Sequence, residues 1–215
     1  MIKQNLENIK NIIPSHCVLV AVSKTKPNEA IIEAYEAGQR IFGENKALEL
    51  RDKAEVLPKD IRWHFIGRLQ TNKVKYVVKH SSLIHSVDRL KLVEAINKEA
   101  EKLEKIQDIL IQLNVSKEES KTGFEVEHFD EILSSINDYK NVRVVGLMTM
   151  APFVDDVEDV RYVFKDMKSI YDKYKDNYNL SHLSMGMSND YHVALEEGAN
   201  MVRIGSSIFG SRVYQ

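Results

Sequence analysis

An α/β fold, read as a single (β/α)8 TIM-type barrel with an extra N-terminal helix, is what this sequence predicts. Three observations predict it. Eight short apolar runs recur along 215 residues. The segments between them carry helical patterning, and the runs are apolar on both faces, as strands of a helix-covered parallel sheet are. An open doubly wound sheet is the competing topology, because strand count alone does not close a barrel.

The chain opens on a helical pattern over 5–13, broken by Pro14. The apolar runs then fall at 18–23, 40–43, 63–67, 83–87, 109–115, 142–148, 182–186 and 201–204. Asn28 can cap a helix carrying Ile31, Ile32, Ala34 and Tyr35, and Asp88 can cap another whose Leu92, Val93, Ile96, Ala100 and Leu103 form one stripe. Further helices are expected over 129–136 (Ile132, Leu133, Ile136) and 157–174 (Val160, Val163, Phe164, Met167, Ile170). Ser188, Asn189 and Asp190 read as the cap of a helix over 191–196. Linker-like tracts, low-complexity runs and internal repeats are missing, so residues 1–215 are expected to form one domain.

Composition narrows the function. Thirty basic against 32 acidic residues leave a net charge of −2, with no global pull toward nucleic acid or an anionic membrane. The basic stretch from Arg68 to Lys79 reads as a solvated helix face. The single cysteine, Cys17, excludes an internal disulfide and is expected as a small core residue. No apolar stretch approaches the ~20 residues of a membrane span, and no signal-peptide core is present, so a cytoplasmic location is expected. Walker-type phosphate loops, HExxH helices and GxSxG elbows are absent.

The chemistry-bearing residues sit at run ends, which in a barrel of this kind form the functional face. Lys24 ends the first run. A lysine amine must lose its proton to attack an aldehyde, although its reference pKa is about 10.4; burial or neighbouring cations lower it. A plain surface lysine is the alternative, and Lys26 competes from beside Pro27. Ser188 and its neighbours, with Gly205, Ser206 and Ser207, offer backbone N–H groups and hydroxyls suited to a phosphate, though ordinary capping uses the same residues. Arg203 stands inside the last run, where its charge needs a partner or a cavity wall. Opposite a pyridine nitrogen it could only donate, making the ring a poor electron sink; a structural ion pair is the other option.

Glu44 and Asn45 follow the second run, and Gly67, Gln70 and Asn72 follow the third. His64 falls mid-run and reads as a satisfied core histidine. Asn114 and Ser116 end the fifth run before a charged loop, residues 117–123, that could flex over a ligand. Met148 ends the sixth, where a methionine packs against a cofactor ring or the core. An amine at one strand end and a phosphate cradle at the last two suggest an aldehyde cofactor with a phosphate handle, pyridoxal 5′-phosphate (PLP).

Six ordered motifs then carry a resemblance over essentially the whole chain. They are Ala21-Val22-Ser23-Lys24-Thr25-Lys26-Pro27, Phe42-Gly43-Glu44-Asn45, Trp63-His64-Phe65-Ile66-Gly67, Gly146-Leu147-Met148-Thr149-Met150, Ser184 through Asp190, and Arg203-Ile204-Gly205. Together they resemble the pyridoxal phosphate homeostasis protein family, whose fold is an alanine racemase-like barrel. The resemblance implies Lys24 as the Schiff-base lysine. It implies Ser188 with the backbone of Gly205 and Ser206 as phosphate holders, and Arg203 at the pyridine nitrogen. Asn45 and Met148 would line the ring.

The family is associated with keeping free PLP low and supplying it to other enzymes, which implies PLP-dependent apoenzymes as acceptors. A monomer is expected, since all eight barrel units are internal. One lysine without an evident opposing tyrosine is poor equipment for two-sided proton transfer. A PLP-dependent racemase or lyase is the alternative function, and a barrel gripping another phosphate ligand is a third.

Overall fold

The computed structural model describes residues 1–116 and 122–210 of the chain. Eight parallel strands close into a barrel in sequence order, so the closed topology holds over the open sheet. The strands are β1 (Val18–Val22), β2 (Ile41–Glu44), β3 (Arg62–Phe65) and β4 (Ser81–Val87), followed by β5 (Gln107–Gln112), β6 (Val142–Met148), β7 (His182–Met187) and β8 (Met201–Ile204). The seam is the pairing of β1 with β8, where Val20 lies opposite Arg203 and Ala21 opposite Ile204.

Helix α1 (Ile2–Ile12) leads the array, and α2 (Asn28–Glu36), α3 (Ala47–Val56), α4 (Val74–His80) and α5 (Leu90–Lys102) follow successive strands. After β5 come α6 (Phe129–Ile136), α7 (Arg161–Tyr178), α8 (Tyr191–Glu196) and the short α9 (Ser206–Phe209). Their apolar stripes face the sheet. In α5, Leu92, Val93, Ile96 and Ala100 are buried, as the period predicts. The basic stretch before and within α4 leaves Arg68, Lys75 and Lys79 exposed.

Helix starts differ in detail from expectation. Pro27, not Asn28, occupies the cap of α2. Arg89, not Asp88, occupies the cap of α5, and the Asp88 carboxylate is engaged with the Arg89 guanidinium. Helix α3 was not singled out by pattern, since its inner stripe includes a charge: Lys53 is buried beside Leu50. Cys17 is half-buried just before β1 rather than fully inside, and burial raises its thiol to about 11.

A small apolar cluster fills the barrel interior: Val20, Leu83, Leu110, Met148 and Met201, drawn from five strands. A much larger apolar shell lies between the sheet and its helices. The charged loop predicted over 117–123 falls mostly outside the described residues. Its end returns to β5, where Gln112 Nε2 donates to the Thr122 carbonyl at 2.8 Å and Phe124 bridges to Leu113.

Candidate functional site

The C-terminal ends of β1, β2, β3, β6, β7 and β8 surround a cavity of about 450 Å³. Lys24 and Lys26 reach it from the turn after β1, and Asn45 from the turn after β2. Ser188 and Asn189 come from the turn after β7. Arg203, Gly205 and Ser206 come from the end of β8 and the turn beyond it. Six of the seven predicted site residues therefore meet on one cavity. Met148 does not: it is fully buried in the interior cluster, and Met150, two residues on, lines the cavity instead.

The lysine side is built on a tight turn. Lys26 N–H donates to the Ser23 carbonyl at 3.0 Å, and Thr25 takes a left-handed φ of +62°. That is an unusual conformation for a β-branched residue. Lys26 Nζ donates to the carbonyls of Phe209 and Gly210 at 3.1 and 3.0 Å, which ties it to the end of α9. Lys24, half-buried, is the lysine presented from the middle of the turn.

The opposite wall is backbone. Ser188 Oγ accepts from Gly205 N–H at 3.0 Å, binding the β7 turn to the β8 turn. A Cβ at Gly205 would lie 3.1 Å from the Val22 carbonyl, so glycine lets β8 close against the end of β1. Gly186, at φ +93°, folds the β7 turn so tightly that a Cβ would sit 2.9 Å from Tyr191 Cα. The Asp190 carboxylate accepts from Met187 N–H at 2.6 Å and fixes the same turn. At the start of α9, Ser206 and Ser207 N–H groups have no acceptor among the described residues. Open backbone donors of this kind suit an anion.

Arg203 is buried with its guanidinium split between two acceptors. One nitrogen donates to Ser184 Oγ and the other to the Thr149 carbonyl at 3.0 Å. Burial lowers it to about 10, with Asp190 opposing, so it stays charged at neutral pH. Behind it runs a buried polar column. His85 Nδ1 lies 3.0 Å from Ser184 Oγ, and His85 Nε2 lies 3.0 Å from His64 Nδ1. Burial pushes His64 down to about 3 and His85 well below its ordinary value, so both rings are neutral. His64 is thus a hydrogen-bonded core histidine, as read from sequence. His85 and Ser184 were missed as a pair, although alternate residues of a strand share a face and His85 stands two from the interior-facing Leu83.

Between the β2 and β3 ends, the backbones of Asn45 and Gly67 pass so closely that a Cβ at Gly67 would meet the Asn45 carbonyl at 2.1 Å. Ile66, Met150, Phe153 and Met187 supply apolar and sulfur surface. Among the described residues lining the cavity, the titratable groups are Lys24, Lys26 and Arg203, with no carboxylate, imidazole or phenol. No cluster of potential metal ligands occurs among the described residues.

Comparison with known proteins agrees with this architecture. The family described as alanine racemase, N-terminal domain, matches residues 1–213. A pyridoxal phosphate homeostasis protein of Aquifex aeolicus is 48% identical over 91% of this chain and 87% of its own. One of Escherichia coli strain K12 is 39% identical, covering 94% and 88%. PipY of Synechococcus elongatus, solved with PLP bound, superposes with a TM-score of 0.89 at 33% identity, covering 98% of this chain and all of that one. The alanine racemase of Clostridium difficile shares the fold alone, with a TM-score of 0.75 at 17% identity over 60% of its chain. By its sequence and its closed barrel, the chain belongs to the pyridoxal phosphate homeostasis protein family, within the alanine racemase N-terminal domain fold.

Proposed function

We propose that residues 1–215 act as one PLP-binding unit that holds the cofactor reversibly and takes part in its homeostasis. The observation that carries this reading is the cavity itself. An amine, a buried guanidinium and free backbone donors face one space of about 450 Å³, within the range of small-molecule sites. The residues fit the cofactor's chemistry. Lys24 would hold the aldehyde carbon as a Schiff base. Ser188, through its hydrogen bond to Gly205 N–H, would brace the β8 turn, and the backbone at Gly205 and Ser206, with the open Ser206 N–H, would hold the phosphate. Arg203, a donor only, would face the pyridine nitrogen and keep it unprotonated. Asn45 would line the ring, with Met150 in the place the sequence assigned to Met148.

When bound, PLP supplies a reactive aldehyde and a conjugated ring. The chain's own part is to bind, orient and restrain. Lys24 and Lys26 are the proton carriers on the cavity wall, and Lys26 is occupied with carbonyls. That arrangement favours exchange or delivery of PLP to apoenzymes over robust turnover. The likeness to alanine racemase keeps an amino-acid racemase or lyase as the second reading. A cytoplasmic monomer accompanies the first; among the described residues no helix is long and apolar enough to cross a membrane.

The test is the visible spectrum of purified protein titrated with PLP, followed by assays with amino acids. A yellow, stoichiometric species without amino-acid turnover is expected. A colourless protein indifferent to PLP overturns the cofactor reading in favour of another phosphate ligand. Turnover abolished by Lys24→Ala establishes the enzyme reading.

A further inference from the structure

The two residues flanking Lys24 are held by a buried ionic cluster that does not itself line the cavity. Ser23 Oγ donates to Glu44 Oε1 at 2.6 Å, and the Ser23 carbonyl accepts from Lys53 Nζ at 2.8 Å. On the other side, Thr25 N–H donates to Glu49 Oε1 at 2.6 Å. Lys53 Nζ then joins the two anchors, lying 2.8 Å from Glu44 Oε1 and 2.7 Å from Glu49 Oε1. Glu44 is fully buried, Lys53 nearly so, and Glu44 Oε2 has no hydrogen-bond partner among the described residues.

Such a cluster is a poor choice for stability. Taking a carboxylate and an ammonium out of water is costly, and an apolar replacement is often neutral or better. Yet α3 turns Lys53 inward at a position where its stripe could carry an aliphatic residue. The turn it grips is also strained: a left-handed Thr25 is costly for a β-branched residue and persists only where the surroundings over-determine it. The cluster supplies that over-determination on both sides of one residue, Lys24.

We infer that Glu44, Lys53 and Glu49 are positioning residues for Lys24: by clamping Ser23 and Thr25 they aim its amine at the carbon it must attack. The inference rests on the PLP reading above and deepens it. In the step concerned, the neutral Lys24 amine forms a C=N double bond to the aldehyde carbon as the C=O bond breaks, and its two protons leave with the aldehyde oxygen as water. Borohydride then adds hydride to that carbon, with a proton going to nitrogen, and makes the bond permanent.

The experiment compares wild type with Glu49→Ala and Lys53→Met in two measurements. The first is the rate of borohydride-trappable adduct formation with PLP, and its division between Lys24 and Lys26 by peptide mapping. The second is affinity for pyridoxamine 5′-phosphate, which has the ring and phosphate but no aldehyde. Misaimed reacting atoms lower a rate without lowering ring and phosphate binding, so adduct formation should slow by about tenfold or more while affinity for the amine analogue stays within about twofold. Glu49 is partly exposed, so Glu49→Ala carries the test should Lys53→Met fail to fold. Unchanged rate and unchanged trapping site in Glu49→Ala overturn the inference. So does a parallel loss of analogue affinity, which marks a structural role. A wild-type protein that forms no adduct overturns the PLP reading itself, a result distinct from both.

Discussion

The two walls of the cavity are built by different means. On the β1–β2 side the turn that carries Lys24 is held through charged side chains: Glu44, Lys53 and Glu49 around a left-handed Thr25. On the β7–β8 side there is no buried ion pair among the described residues. Gly186 and Gly205 bring backbones together, and Ser188 and Asp190 each make one hydrogen bond across or within a turn. An anion is met by fixed N–H groups, so its wall needs backbone precision and little charge. An amine at the end of a flexible four-carbon stem needs its point of attachment fixed instead. Arg203 bridges the two designs: it is a charge on β8, braced by the neutral Ser184–His85–His64 column.

The contrast can be broken in order of expected effect. Lys24→Ala should abolish the PLP adduct trapped by borohydride, whereas Lys26→Ala should retain it. Loss of the adduct in Lys26→Ala with retention in Lys24→Ala would exchange the two roles. Gly186→Ala comes next. With positive φ and a Cβ pressed against Tyr191 and Ala194, it should lower stability by roughly 2–4 kcal/mol in denaturant unfolding. It should also weaken binding of the phosphate-bearing analogue. A near-neutral Gly186→Ala would show that the β7 turn tolerates relaxation and that its backbone is not the source of precision.

The β1–β2 wall carries a pH signature in Glu44. Burial raises Glu44 to about 7, with Lys53 pulling against it. The folded state therefore keeps a proton that the unfolded chain, near its ordinary 4.5, has already lost. Between those values stability contributed by this group falls as pH rises. Glu44→Gln should remove that slope, gaining up to about 3 kcal/mol relative to wild type between about pH 5 and about pH 8. The buried His64 and His85 act in the opposite sense, losing stability as pH falls below 6.5. Wild type and variant share that background, so their difference isolates Glu44. Parallel curves for the two would contradict the assignment. The smallest effect is Ser188→Ala, which removes one acceptor from Gly205 N–H: about 1 kcal/mol, read as roughly fivefold weaker binding of pyridoxamine 5′-phosphate.

Much of the fold is legible in the sequence. The eight strands and most of the cavity lining followed from apolar runs and from polar residues at their ends, because a barrel maps strand ends onto one face; closure over an open sheet came from the structure. Lys24, Asn45, Ser188, Arg203, Gly205 and Ser206 were all found that way. Met148 and Met150 were exchanged because two residues at a strand end cannot be ranked by depth from type alone. The clamp was illegible for another reason. Lys53 lies nine residues from Glu44 and 30 from Ser23, in a helix where a lone lysine ordinarily reads as solvated. The His85–Ser184 contact spans 99 residues and is created only by closure of the barrel.

The most direct test of the central claim is the site of attachment in the unmodified protein. Wild type incubated with PLP, reduced with borohydride and mapped by peptide mass should carry the label on the peptide containing Lys24, at that residue and near one per chain. Label on Lys26 or scattered over surface lysines, or no label at all, would contradict the account.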